Sequence, residues 1–231
     1  MHVILMGPQG SGKGTQANRL APRLGLMLVA TGDLFRAAIR AETELGRQIK
    51  AIYDAGGLVS DDITIALVEE RLDEITMRRR LGERIEGAIY DGFPRTRGQA
   101  EALDAALAKR GEAVTTVIQI DVPRDVLIRR LAGRRICSSC GRVYNIESNP
   151  TKVPGVCDIC GGALIQREDD TENAVRRRLD LYFKETEPLT RYYRERGLLQ
   201  SIDGDRDIDA ITDDLAAMIE RARHGAAGKT V

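Results

Sequence analysis

The chain has 231 residues, 42% hydrophobic and 30% charged, and its 35 basic and 35 acidic side chains cancel to a formal net charge of +0. That composition belongs to a folded globular protein and not a disordered one, and the neutral balance argues against a dedicated nucleic-acid binder, which usually carries a strong basic excess. The first apolar run, residues 3–6, ends at Gly7, and no stretch approaches the roughly 18 apolar residues of a membrane span, so a cytoplasmic protein with no membrane partner is expected.

In chain order, short apolar and β-branched runs at 2–6, 26–31, 88–90, 115–122 and 198–202 predict five buried strands. Helical periodicity between them predicts helices over 13–24, 61–80, 97–109, 124–131, 173–196 and 208–221. Strand alternating with helix implies an α/β, three-layer fold with a five-stranded parallel sheet flanked by helices. Two segments break the alternation. Residues 30–59 have helical composition without a strand and predict a helical excursion from the sheet, while 133–170 hold all four Cys and two of the seven Pro and predict a loop-rich insert. One core built from 1–29, 60–132 and 171–231 carries both, and the tail 224–231 is expected to fray.

The run Gly7-Pro8-Gln9-Gly10-Ser11-Gly12-Lys13-Gly14-Thr15 follows the first strand and opens the first helix, the context in which a glycine-rich loop wraps phosphate. Backbone amides and a helix N-terminus turn donors toward an anion, and Lys13 adds a point charge. One departure from the usual spacing is Gly14 after Lys13, with the expected hydroxyl one residue later on Thr15. A flexible glycine turn is the competing account, and the strand-loop-helix setting favours the phosphate loop.

Cys137-x2-Cys140 and Cys157-x2-Cys160 use every cysteine in the chain. Paired at this spacing they predict a tetrahedral thiolate zinc site with no open coordination position, hence a structural metal. The insert, of about 38 residues, is too small to build a stable core by itself, so the ion would replace that core. Disulfides or free thiols are the alternative, and a reducing compartment disfavours disulfides.

The decapeptide 7–16 resembles the opening of adenylate kinases, and further segments resemble that family in the right order. They are Thr31-Gly32-Asp33-Leu34-Phe35-Arg36, Asp54-Ala55-Gly56-Gly57-Leu58-Val59, Asp91-Gly92-Phe93-Pro94-Arg95-Thr96 and Gly133-Arg134-Arg135. The resemblance covers almost the whole chain. It implies reversible, Mg2+-dependent phosphoryl transfer between ATP and AMP to give ADP, in-line and without a covalent phosphoenzyme, in a monomer whose 133–170 insert closes as a zinc lid and whose 30–59 segment binds the monophosphate. It assigns ATP to Gly10, Ser11, Gly12, Lys13, Gly14, Thr15, Arg134, Val143, Tyr144 and Arg206. AMP is assigned to Thr31, Arg36, Gly57, Leu58, Val59, Gly92, Phe93, Pro94, Arg95 and Gln99, with Gln99 reading adenine. Arg167 and Arg178 are shared, and Lys13, Arg95, Arg130, Arg134, Arg167 and Arg178 form the catalytic set. Arginine suits this chemistry because its planar fork binds phosphate oxygens in pairs and stays charged.

Asp91, at the carboxyl end of a predicted strand, is a candidate outer partner for magnesium, with a turn-capping carboxylate as the alternative. His2 and His224, both near the termini, leave a histidine base improbable. Arg135, Arg142, Arg176 and Arg177 read as solvated or salt-bridged. The connection 73–88 is longer and richer in Arg than the family pattern, and no function attaches to it. Three other readings stay open at this point: a kinase for another nucleoside monophosphate, a zinc-ribbon nucleic-acid module on an ATPase, and a nucleotide-sensing switch without turnover.

Overall fold

The structure is a computed structural model that describes residues 1–42, 44–54, 57–167, 170 and 172–227. Residues 55 and 56 of the motif 54–59, and 228–231 of the tail, lie outside the described residues. The chain runs β1 (His2–Met6), α1 (Lys13–Arg23), β2 (Leu26–Ala30), α2 (Thr31–Arg40), α3 (Glu44–Asp54), α4 (Asp61–Arg80), β3 (Gly87–Asp91), α5 (Arg97–Ala108), β4 (Val114–Asp121) and α6 (Arg124–Ala132). The insert follows with β5 (Arg134–Cys137), β6 (Val143–Asn145) and β7 (Leu164–Ile165), and the chain closes with α7 (Glu172–Leu181), a π turn at Tyr182–Thr186, α8 (Leu189–Glu195), β8 (Leu199–Asp203) and α9 (Ile208–Ala227).

The main sheet has strand order β2-β3-β1-β4-β8, and every pairing is parallel. Both faces are covered, which is why the strands read as continuous apolar runs instead of alternating ones. Alternate residues still divide the core. Ile4, Met6 and Tyr90 pack with Val68, Leu72 and Ile75 of α4 and Leu103 of α5 on one face, whereas Val3, Leu5 and Ile118 pack with Leu20 of α1 and Leu215 of α9 on the other. From β1 the chain crosses to β2 at one edge, and later it comes back to β4 on the opposite side of β1. The carboxyl ends of β1, β3 and β4 therefore border a crevice, the place where such sheets bind ligands.

The predicted strands are found within a residue or so of their expected bounds, and the 30–59 excursion is the helix pair α2 and α3. Three expectations need correction. The helix expected over 173–196 is interrupted, because Glu187 N donates to Tyr182 O at 2.9 Å to close a π turn and Pro188, which has no N–H, cannot continue the ladder. The insert is more ordered than loop-rich composition suggests, since β6-β5-β7 form a small antiparallel sheet whose strands are too short to show periodicity. Helix α9 also continues to Ala227, past the point where fraying was expected.

The Arg-rich connection lengthens α4. Arg79 Nη1 donates to Glu112 Oε1 at 2.8 Å and its Nε donates to Ile85 O at 2.7 Å, which fastens the helix end to the amino-terminal rim of the sheet. Glu112 also meets His2, whose ring is wholly buried: Nδ1 lies 2.9 Å from the Tyr90 hydroxyl and Nε2 lies 3.2 Å from Glu112 Oε2. The Nε2 contact has the distance of an ion pair without the direction of a hydrogen bond. Burial first, then the N-terminal ammonium, push His2 down to about 4 even though Glu112 opposes them.

Candidate functional site

At the carboxyl rim a cleft of about 450 Å³ opens between the main sheet and the insert. Its floor is the loop from Gly7 to Thr15. Gly12 caps α1 with φ 97°, a left-handed conformation that a side chain would strain, and a Cβ at Gly7 would stand 2.7 Å from Ser11 Oγ and 2.8 Å from Ile120 O. These glycines let the loop curl over the N-terminus of α1, whose unpaired amides and dipole favour an anion.

Lys13 is drawn into this loop. Its Nζ donates to Gly7 O at 2.6 Å and Pro8 O at 2.8 Å. Burial pushes its ammonium down to about 8, with Asp91 opposing and Arg95, Arg178 and Arg134 reinforcing the shift. A cation held among other cations, in a site built to receive anions, is poised to bind phosphate. Asp91, at the end of β3, faces the same loop: a Cβ on Gly14 would lie 3.0 Å from Asp91 Oδ2, so the glycine leaves a space beside the carboxylate.

Arginines arrive from four directions. Arg36 comes from α2 and is paired with Asp33, while Arg95, beyond the cis Phe93–Pro94 bond, donates from Nε to Gly92 O at 2.8 Å. Arg130, from α6, donates to Gly204 O and Asp205, each at 3.0 Å. Arg134, Arg167 and Arg178 come from the borders of the insert and line the same cleft, as do Phe93, Pro94, Val143, Tyr144 and Arg206, the last paired with Asp214 at 2.8 Å. A smaller recess beside the cleft is lined by Thr31, Gly57, Leu58, Val59, Gly92, Arg95 and Gln99. Every nucleotide-contact position expected from sequence thus borders the cleft or the recess.

Two acids there went unassigned. The Asp170 carboxylate is fully buried, accepts from Arg134 Nε at 2.7 Å and lies 3.7 Å from Arg178 Nη1. Its only signal in the sequence is that it ends a run of three acids, 168–170, that follows Arg167 at the exit of the insert. Asp61, at the start of α4, accepts from Gln99 Nε2 at 2.8 Å and Thr96 Oγ1 at 2.7 Å, and reads in the sequence as an ordinary first-turn acid.

The four cysteines sit in the insert, apart from the cleft. Their Sγ atoms all lie within 4.8 Å of one another, with Cys137 and Cys160 3.4 Å apart and Cys140 and Cys157 3.6 Å apart, and none is in a disulfide. A tetrahedron of ~2.3 Å zinc–sulfur bonds has edges of about 3.8 Å, so this donor set fits a zinc ion. Tyr144 serves both neighbourhoods: it borders the cleft, and its hydroxyl lies 3.3 Å from Cys157 Sγ and accepts from Asp158 N at 3.1 Å. That hydroxyl is the leading cause holding the Cys157 thiol down to about 6. At Cys160 the Gly162 amide pulls the other way from hydrogen bonding with Cys137 and Cys140, which prevails and leaves that thiol pushed up to about 12. Four sulfurs this close resist ionising together, and a bound cation removes the conflict.

Among the described residues no helix is long and apolar enough to cross a membrane. A family model described as adenylate kinase matches residues 5–198. The chain is 51% identical over 211 residues to an adenylate kinase of Moorella thermoacetica, an alignment spanning 91% of this chain and 94% of that protein. It is 46% identical over 215 residues to an adenylate kinase of Clostridium acetobutylicum, spanning 93% and 97%, and 48% identical over 211 residues to one from Carboxydothermus hydrogenoformans, spanning 91% and 95%. With a match that runs from β1 across the phosphate loop and the cysteine insert to the brink of β8, the chain belongs to the adenylate kinase family.

Proposed function

We propose that this chain catalyses reversible phosphoryl transfer from ATP to AMP, yielding two ADP and balancing the adenine nucleotides. The observation that carries the proposal is convergence: the phosphate loop with Lys13, and arginines from α2, the β3 end, α6 and both borders of the insert, meet at one cleft that continues into a recess containing Gln99. Phosphoryl transfer asks a protein mainly for alignment and for cations on the equatorial oxygens, and this arrangement offers both.

In this mechanism the loop amides from Gly10 to Thr15 and the Lys13 ammonium hold the donor phosphates. Val143, Tyr144 and the Arg206 region border the donor nucleotide. Arg36 and Arg95 hold the acceptor phosphate, while Thr31, the 57–59 backbone, Gly92 and Gln99 seat its nucleoside. Arg130, Arg134, Arg167 and Arg178 close from the insert side, neutralise the charge that develops between the two nucleotides and exclude water that would otherwise take the phosphoryl group. The 133–170 insert acts as a lid on the core and 30–59 as the acceptor-binding segment.

Magnesium bound with ATP would supply positive charge to the phosphates, and the Asp91 carboxylate, beside the space left by Gly14, would hold it through water. Zinc on Cys137, Cys140, Cys157 and Cys160 would hold the lid together and take no part in the chemistry. A monomer whose partners are nucleotides, in a reducing cytoplasm that keeps the four thiols unpaired, completes the proposal.

Initial rates of ADP formation with AMP, CMP, UMP and GMP as acceptors, together with metal analysis of the same sample, test it. AMP is expected to lead by at least about tenfold in kcat/KM, and preference for another monophosphate would overturn the assignment.

A further inference from the structure

Asp61 is not among the groups that reach the phosphates, yet both of its carboxylate oxygens are committed beside the acceptor recess. Oδ1 accepts from Gln99 Nε2 at 2.8 Å and Oδ2 accepts from Thr96 Oγ1 at 2.7 Å. Thr96 caps α5 by accepting from Gln99 N at 3.2 Å, so one short network joins the starts of two helices. The approach is close: a Cβ on Gly98 would stand 3.0 Å from Asp61 Oδ2. At the other end of the same amide, Gln99 Oε1 accepts from Arg95 N at 2.8 Å, and the residue is only 2% exposed.

A glutamine amide carries two N–H donors on one side and two acceptor lone pairs on the other, and turning it over changes its shape little while exchanging those roles. Here the turned form would set oxygen against the Asp61 carboxylate and NH2 against the Arg95 N–H. Each mismatch leaves buried groups unpaired, so a single polarity survives. Once Asp61 and Arg95 are served, the amide has one N–H and one lone pair left for a ligand. Adenine presents a ring nitrogen acceptor next to an exocyclic amine. A 6-oxopurine presents the same outline with the roles reversed, a ring N–H next to an exocyclic carbonyl. A base whose phosphate is held by Arg36 and Arg95 cannot turn over to compensate.

We propose that Asp61 is the positioning residue that, with the Arg95 N–H at the other end of the amide, fixes the polarity of Gln99, and so makes the recess select a 6-aminopurine over a 6-oxopurine monophosphate. The proposal rests on the acceptor role given to the recess above.

The test measures kcat and KM for AMP and for IMP, a 6-oxopurine monophosphate without a 2-amino group, at saturating ATP. It compares the unmodified chain with Asp61→Ala, which removes every hydrogen-bonding side-chain atom without adding volume, and with Asp61→Ser as a second variant. Both are expected to lower the AMP-to-IMP ratio of kcat/KM by about tenfold or more, mainly through KM for the monophosphate, with KM for ATP unchanged. A ratio within about twofold of the unmodified value, with AMP and IMP declining together, overturns the role of Asp61 and leaves the acceptor assignment standing. Absence of AMP-dependent ADP formation in the unmodified chain overturns that assignment and the proposal with it. Amide exchange supplies a check that needs no variant: in the unmodified chain the Gln99 side-chain proton facing Asp61 should exchange slowest, and two equally fast protons would overturn the lock.

Discussion

Asp170 meets Arg134 across the mouth of the insert, its buried carboxylate accepting from the guanidinium Nε at 2.7 Å with Arg178 close by at 3.7 Å. Under the proposed function, phosphate oxygens would offer these two cations an alternative counter-charge. Replacing it without a ligand present leaves charge uncompensated in a poorly hydrated place, which typically costs about 3 kcal/mol. Asp170→Asn should therefore lower the denaturation midpoint. A tightly bound nucleotide should then raise the melting temperature more in the variant than in the unmodified chain, because it supplies the missing negative charge. An equal ligand-induced rise in the two proteins would contradict this account.

Lys13→Met should reduce kcat by roughly 10²–10³ without unfolding the protein, the usual size of losing one preorganised donor. Because burial disfavours the charged form of Lys13 in the nucleotide-free protein, the same variant should melt no lower than the unmodified chain and preferably higher. Unchanged turnover would refute the assigned role.

Proton uptake offers an independent view of the same lysine. With its folded value near 8 and its ordinary value 10.5, Lys13 is partly neutral in the free protein above pH 8, and bound phosphates would restore the charge. Titration calorimetry in buffers of different ionisation enthalpy should show ATP binding coupled to proton uptake as pH rises above 8, and affinity declining over the same range. Lys13→Met should abolish the coupled proton.

Acid should weaken the fold through His2. Its folded value of about 4 lies below its ordinary 6.5, so the folded state prefers the neutral ring. The stabilisation is fully present above pH 6.5 and is lost as pH falls from 6.5 to 4, on the order of 3 kcal/mol in all. Urea titrations across that range should give a slope that His2→Gln flattens, and identical slopes would rule the ring out.

Chelation under reducing conditions should loosen the insert first. A loss of even about 2 kcal/mol shifts the melting temperature of a chain this size by roughly 4–8 °C. Verified metal removal with no thermal change would speak against a structural ion.

Much of this architecture could be read from the chain because it depends on neighbours in sequence. Runs such as Val3 to Met6 are buried without exception, and the phosphate loop lies directly between its strand and its helix. The cysteine pairs declare themselves by spacing alone. Asp170 and Asp61 were illegible for the opposite reason: their partners Arg134 and Gln99 lie 36 and 38 residues away, and nothing local distinguishes a carboxylate that folding will bury from one left in water. The interrupted helix near Tyr182 escaped because the apolar pattern continues across Pro188, so periodicity suggested one element where hydrogen bonding makes three.

Helix α4 ties two distant regions together. Its 20 residues, at ~1.5 Å each, make a strut about 30 Å long, with Asp61 at one end beside the acceptor recess and Arg79 bolted to Glu112 near the other. A strut anchored in this way cannot slide. A swing of α2 and α3 would pivot at the non-helical joints at its two ends, Ser60 before Asp61, with ψ 150°, and Ala30 before α2, with ψ 102°. Under the proposed acceptor role, the arc that would carry Arg36 toward a bound phosphate is then set by the distance of that arginine from these joints.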